Sequence, residues 1–501
     1  VSSQLPLLSL HESIGYGDAY ILDSVETFRG TGILYPAFGP DHLLPAIYSP
    51  LMYGALALAQ IVAPSENPYF GPRLLELIWF FACAAAAGLL ATQLVPGKKV
   101  FVGGTLLTLS LWMITPWVMQ LRADFPAICC SLLTLYFLLS GKPRDVMWAG
   151  VCAGFAMQFK LTFVAALAAG GLWLILHRRW SDLLRFWLPA AICSPGLYAV
   201  AWWREPRMLQ NILAMRQIIP HPPGVWAFAS WMFLEPVFCL AMIALLFLLP
   251  SIVKGRKSRW QLLVLFFVFS LGLNMFAVLQ AGGGMNYFYE TMIASTPFAL
   301  LTLVERQTKP WRGVRLLPAL VLLILGTPYF AYSTAHMGHL DVTVAQRNWD
   351  YEHLRTALEG ANVFSSIPDI ARLRPERPVM DPLLLNYLSI TGTADLSGLA
   401  ARIERREFDV VVTSPGDNAW RGVSHLAKAL RLAILDAYQP RCFLGRNVYL
   451  FPKTQETAPA SSDLERRLTD LGCQAIVCPP GVKCLDLSER YDQFLAGPPT
   501  F

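Results

Sequence analysis

Residues 71–100 read GPRLLELIWFFACAAAAGLLATQLVPGKKV, a long apolar run closed by Pro96-Gly97 and the basic pair Lys98/Lys99. A helix needs about 20 mostly apolar residues to cross roughly 30 Å of hydrocarbon. This stretch supplies them, with Arg73 and Glu76 as its early interruptions. Working outward, runs of similar character recur near 72–95, 100–118, 124–140, 146–159, 161–176, 183–203, 226–249, 260–280, 287–304 and 315–333. Across all 501 residues the hydrophobic types make up 55%, the charged types 15%, and the mean hydropathy is +0.45. Soluble domains carry about 25% charged residues, so the sequence predicts a polytopic α-helical membrane protein.

The basic residues set an orientation, because short loops rich in Lys and Arg stay cytoplasmic. Lys98/Lys99, Lys142/Arg144, Arg178/Arg179, the run 254–259 and Arg306/Lys309/Arg312/Arg315 fall in every second loop. The alternate loops, around 1–71, 119–124, 160, 204–225 and 281–287, and the tail 334–501, then face outside. Residues 45–64 are apolar, but counting them as a span would reverse every later loop. They are expected to form an interfacial or re-entrant helix. An outer loop at the start of the chain needs something to carry it across, so a preceding span is expected. Residues 1–333 hold 22 Lys/Arg against 14 Asp/Glu, and 334–501 hold 18 against 20. Basic residues confined to short loops argue for topology and against a nucleic-acid groove.

Three regions result: 1–71, an outer loop with interfacial helices; 72–333, a transmembrane domain of about ten helices; and 334–501, a small C-terminal extracytoplasmic α/β domain. In the tail, 345–359 and 396–407 read as amphipathic helices, and 408–414, 447–451 and 363–366 as strands. Cys83, Cys129, Cys130, Cys152, Cys193 and Cys239 lie in apolar runs, where small packing residues are expected. Cys442, Cys473, Cys478 and Cys484 lie in the tail, where an even number outside the cell suits two disulfides with three pairings open.

Ionisable groups inside apolar runs cost about 2.5–3.5 kcal/mol each at mid-bilayer, so those that persist call for a reason. Several fall at predicted outer helix ends. Asp18 precedes a short amphipathic helix and is either a capping aspartate or a functional acid. Arg122 and Asp124 flank the start of another span, where Pro126 suits the first turn. Lys160 interrupts an apolar stretch, as an anchor that snorkels or as a point charge for a lipid phosphate. Arg73 and Glu76 are spaced to pair on one helix face. Glu235 lies within its run as a buried partner or a functional acid. Gly282-Gly283-Gly284 leads into Asn286, Tyr287 and Glu290. Gly150-x3-Gly154 fits small-residue helix packing, and His336/His339 suits interfacial solvation. The sequence has no phosphate-binding Gly-x4-Gly-Lys-[Ser/Thr] loop and no His-Glu-x2-His.

In their order the motifs resemble the GT-C superfamily of membrane glycosyltransferases, in the bacterial group related to aminoarabinose transferases and protein O-mannosyltransferases. The resemblance rests on Asp18, Gly30 to Tyr35, Tyr48 to Leu51, Arg73, Arg122 with Asp124, Lys160 with Thr162, and Asn286, Tyr287 and Glu290. It implies transfer of a sugar from a polyprenyl-phosphate donor to a glycan, lipid or protein acceptor on the outer face of the cytoplasmic (inner) membrane, with inversion. Asp18 and Asp124 would be the catalytic acids. Lys160, helped by Arg122, would hold the donor phosphate, and Tyr35, Tyr48, Arg73, Asn286, Tyr287 and Glu290 would line the substrate site. The first loop has Asp18-Ala19 where many members carry paired acids. A divalent metal ion is left open, with Asp18 and Asp124 as its candidate ligands.

Two other classes compete. Glu235 and the break at 281–286 also suit a transporter or flippase of lipid-linked glycans, although no internal repeat is evident. An anchored glycan-binding tail would leave the outer-face charges without a role.

Overall fold

The structure, a computed structural model, describes residues 2–14, 17–36, 46–111, 113–214, 230, 232–253, 258–279, 285–304, 343–373, 385–386, 388–389, 392, 394–413, 426–444, 447–453 and 459–475. The run at 315–333, the basic residues at 254–257 and 306–315, Gly282 to Gly284, His336, His339, Cys478 and Cys484 lie outside the described residues. Numbered along the chain, the helices are α1 (Asp18–Thr31), α2 (Pro50–Val62), α3 (Phe70–Leu94), α4 (Lys98–Leu109), α5 (Asp124–Ser140), α6 (Pro143–Phe159), α7 (Ala165–Leu176), α8 (Trp180–Ala191), α9 (Leu197–Arg204), α10 (Met208–Ala214), α11 (Pro236–Val253), α12 (Ser258–Val278), α13 (Tyr289–Val304), α14 (343–357), α15 (Pro368–Arg372), α16 (Ser397–Glu404), α17 (Lys428–Ala437) and α18 (Pro459–Asp470).

The chain divides into two units. The first comprises 1–10, 48–206 and 218–344; the second comprises 11–47, 207–217 and 345–501. The first unit is a helical bundle. Every marked apolar run up to residue 304 contains helix. Among the described residues, Phe70–Leu94, Trp180–Arg204 and Ser258–Val278 are long and apolar enough to cross a membrane. A π turn at Ile192–Gly196 joins α8 to α9, where Pro195 has no N–H to give to a regular α-helical bond. Helix α2 has 13 residues, about 20 Å at 1.5 Å each, which is shorter than the hydrocarbon layer.

One run departs from expectation. Residues 100–118 do not form a single span: α4 ends at Leu109, and a 3-10 turn follows at Thr115–Trp117. Pro116 has no N–H to offer the preceding turn. The hydroxyls of Thr108, Ser110 and Thr115 turn back onto Gly104, Leu107 and Leu111 carbonyls, a local bonding habit that competes with helix.

The bundle is held by close packing of small residues. A methyl at Gly150 would lie 2.1 Å from the Phe186 carbonyl oxygen, and one at Gly154 would lie 2.7 Å from Cys193 Cβ, so α6 lies against α8 and the π turn. At one end of the bundle Arg259 donates to the Gln93 carbonyl at 2.7 Å, and Trp173 donates through its indole N–H to the Ser258 carbonyl at 3.1 Å. The ends of α3 and α7 and the start of α12, which border three of the basic loops, therefore meet.

The second unit contains a five-stranded mixed sheet. Its strands are β1 (Val363–Ser365), β2 (Val410–Thr413), β3 (Tyr438–Leu444), β4 (Asn447–Pro452) and β5 (Gln474–Ala475), in the order β1-β2-β4-β3-β5. Among the described strands β1 and β2 run parallel, and the other pairs run antiparallel. One face packs on Leu399, Ile403, Leu430 and Ile434, and the other on Leu358, Ile370, Leu464 and Leu468. Cys442 and Cys473 are joined, with Cα atoms 5.5 Å apart, which ties β3 to the chain entering β5.

Within this unit α1 is clamped to α15. Arg372 donates to both carboxylate oxygens of Glu26, at 2.8 and 2.9 Å. Asp23, one turn before Glu26, is pushed up to about 6, chiefly by burial; Arg372 opposes this and Glu26 adds to it. An acid with a raised folded-state pKa binds its proton more tightly when folded. Its contribution is therefore full below about pH 4 and is lost as the pH rises through about 6. Thermal stability of the full chain should fall between those limits by the equivalent of about 2–3 kcal/mol. The Asp23→Asn variant should lack that slope, and an unchanged slope would remove Asp23 as its source.

Candidate active site

Asp124 is the first residue of α5, where a negative charge meets the positive end of the helix dipole. It is fully buried. Lys160 is the residue at which α6 ends. Its extended backbone (φ −152°, ψ 119°) takes it out of the helix, and its Nζ lies 2.7 Å from Asp124 Oδ1. The Asn286 amide donates to Oδ1 and Oδ2 of Asp124 at 3.4 and 3.3 Å. The Lys160 ammonium lies 4.5 Å from the centre of the Tyr287 ring and 5.7 Å from that of Phe163, within cation–π range. Three distant stretches of one unit thus gather a carboxylate, an ammonium, an amide and a phenol at helix ends. Desolvating such a pair can outweigh its attraction unless further hydrogen bonds satisfy it. A pair retained under those terms, among apolar helices, marks a candidate for function.

Arg122 borders this group. Its Nε donates to Gln120 Oε1 at 2.9 Å, and its guanidinium lies 5.5 Å over the Trp117 ring. Burial raises the Tyr48 phenol above its ordinary range, and the charges acting on it are those of Arg122, Asp124, Tyr287 and Tyr53. Tyr48 is thus within electrostatic reach of the group. The end of α6 is braced from the neighbouring helix: Gln158 donates to the Ser194 carbonyl at 2.9 Å, and the Tyr198 hydroxyl donates to the Met157 carbonyl at 3.0 Å.

The other sequence candidates lie elsewhere. Arg73 is fully buried under the N-terminal segment, where it donates to the carbonyls of Leu7, at 2.9 Å, and Leu10. Asn67 donates to the Leu8 and Leu10 carbonyls beside it. Glu290 is buried below Asn286 and accepts from Ser131 at 2.8 Å. Glu235 accepts from the backbone of Met113 and Val237 at 3.4 Å, at the start of α11. Asp18 and Tyr35 belong to the second unit and are buried there; Asp18 Oδ2 accepts the Ile14 N–H at 3.1 Å. Sequence reading missed Ser131, Gln158 and Ser194, whose types carry no signal until their neighbours are known.

No group of three His, Cys, Asp or Glu side chains suited to a metal ion occurs among the described residues. Around Asp124 an ammonium and an amide donate to the carboxylate, which is the chemistry of an ion pair and not that of a cation site.

Among the described residues, apolar helices, three of them long and apolar enough to cross a membrane, bury a polar, charged group at their ends. The solved structures identify the fold. ArnT from Cupriavidus metallidurans bound to undecaprenyl phosphate superposes with a TM-score of 0.62 at 13% identity, over 91% of this chain and 97% of that one. Its apo state gives 0.57 at 13% identity, over 87% and 92%. This chain shares the fold of these two structures. No protein-family model and no curated protein sequence matches the chain.

Proposed function

We propose that this protein is a glycosyltransferase that moves a sugar from a polyprenyl-phosphate donor to a glycan, lipid or protein acceptor, with inversion, on the outer face of the bacterial inner membrane. The observation that carries the reading is the buried Asp124–Lys160 pair, with Asn286 and Tyr287 on it, at helix ends of a GT-C fold. The acceptor hydroxyl attacks the anomeric carbon, the bond from that carbon to the phosphate oxygen breaks, and polyprenyl phosphate leaves with the bonding pair. The acceptor proton passes to a carboxylate. A phosphate is already a competent leaving group, so the step needs a base and a cation and no strong acid. Lys160 is assigned to the departing phosphate, with Arg122 beside it and Asp124 orienting the ammonium. Through the resemblance, Asp18 takes the acceptor. In this reading residues 1–71 form the outer loop, 72–333 span the membrane and 334–501 are extracytoplasmic.

Purified protein given a radiolabelled polyprenyl-phosphate sugar and a mixed acceptor extract should form labelled product, and Asp18→Asn should lose about 10²–10⁴ of the rate. Unchanged transfer in that variant would remove Asp18 from the chemistry. Movement of labelled lipid across vesicles without any new glycosidic bond would favour a flippase.

A further inference from the structure

Helix α5 meets α13 and the 3-10 turn that leads into it in three rungs. At the first, the Asn286 amide donates to both oxygens of Asp124. At the second, the Phe125 and Tyr289 rings stack with centroids 6.0 Å apart and planes 11° from parallel. At the third, the Ser131 hydroxyl donates to Glu290 Oε1 at 2.8 Å. Glu290 is 2% exposed, and Ser270 of α12 lies within electrostatic reach of it. Behind Ser270 the chain continues: its Oγ lies 2.9 Å from Thr291 Oγ1, and Asn274 Nδ2 donates to both, at 3.1 and 2.9 Å. The Asn274 amide nitrogen can only donate, so both hydroxyl oxygens accept from it. Glu290 thus takes a hydroxyl from α5 in the first turn of α13, and the next residue, Thr291, is bonded to α12.

We infer that Glu290 is a positioning residue, which fixes the start of α13 on α5 so that Asn286 and Tyr287 are held on Asp124 and Lys160. The assignment rests on the reading of the Asp124 group as the reacting centre. Asn286 and Tyr287 lie on a single 3-10 turn, Met285–Phe288, and one such turn has too few bonds to hold its own place. Its position is inherited from the helix it enters. Hydroxyls that lack water seek a partner within the bundle, and a side-chain carboxyl or amide oxygen can accept from them.

The test combines kinetics with a geometric probe. Glu290→Ala should lower kcat about ten- to a hundredfold, the scale of a misplacement near 1 Å, and leave the donor KM within about twofold. Glu290→Gln should recover most of the rate. In an Asn286→Ala background, Glu290→Ala should cost less than about twofold more, because both act through one contact. Full additivity, or a loss confined to donor KM, would overturn the inference. Independently of transfer, a short bis-methanethiosulfonate linker should bridge Asp124→Cys to Asn286→Cys in a chain whose Cys83, Cys129 and Cys130 are alanine. Adding Glu290→Ala should slow that bridging about tenfold, and adding Glu290→Gln should slow it less; an unchanged rate would refute the positioning role. Absence of transfer by the unmodified protein would instead refute the proposed function and leave the cross-linking result standing.

Discussion

Replacing Lys160 by Met should lower sugar transfer about 10²–10³-fold, the scale of losing one preorganised charge at a developing anion. The same change should destabilise the protein by about 3–5 kcal/mol, because it leaves Asp124 as an uncompensated buried charge. Stability and chemistry are therefore confounded in the single variant, and the double variant Asp124→Asn with Lys160→Met separates them. A neutral pair of similar volume needs no counter-ion, so most of the stability should return. Transfer should not return, since the cation that receives the leaving phosphate is still missing. The measurements are thermal midpoints in detergent and initial rates with a lipid-linked donor. If the double variant transfers within about tenfold of the parent, the pair is structural and the proposed chemistry fails.

The side of the bundle on which the site lies was legible because it depends on local signals. Lys98/Lys99 and Arg178/Arg179 mark alternate helix ends by charge, so Asp124, Lys160 and Asn286 fall together on the remaining ends before any coordinate is known. That Asp124 touches Lys160 is a property of side chains 36 residues apart, and only packing sets it. The resemblance places Arg73 among the substrate-lining residues. In the structure its guanidinium donates to the carbonyls of Leu7 and Leu10, where a segment too short to satisfy its own backbone needs an external donor. Spacing along one helix does not reveal that contact. In the second unit β2 and β4 announce themselves by their β-branched and aromatic residues. Strand β3, YQPRCFL, lacks that pattern: Pro440 interrupts it and the register shifts between Pro440 and Cys442, the kind of irregularity at which proline is tolerated in a sheet.

The largest purely structural effect is expected at Gly150. A Cβ there meets backbone, the Phe186 carbonyl oxygen at 2.1 Å and its carbon at 3.0 Å, so no side-chain rotation relieves it. At Gly154 the first obstacle is a side-chain atom, Cys193 Cβ at 2.7 Å, with the Ala190 oxygen next at 2.9 Å. At Gly272 of α12 nothing lies within 4 Å. Lipid tails are as apolar as the helices they compete with, so association rests on packing and a forced gap is not recovered elsewhere. Gly150→Ala should cost about 1–3 kcal/mol or more, a drop of several degrees in Tm. Gly154→Ala should cost less, and Gly272→Ala should be neutral or slightly stabilising through helix propensity. The order of the three midpoints is the decisive result, and equal midpoints would refute the close α6–α8 contact. The same contact reaches the chemistry, because α6 ends at Lys160 and Gln158 ties that end to the π turn. Gly150→Ala should therefore lower kcat at temperatures where the protein is still folded, whereas Gly272→Ala should not.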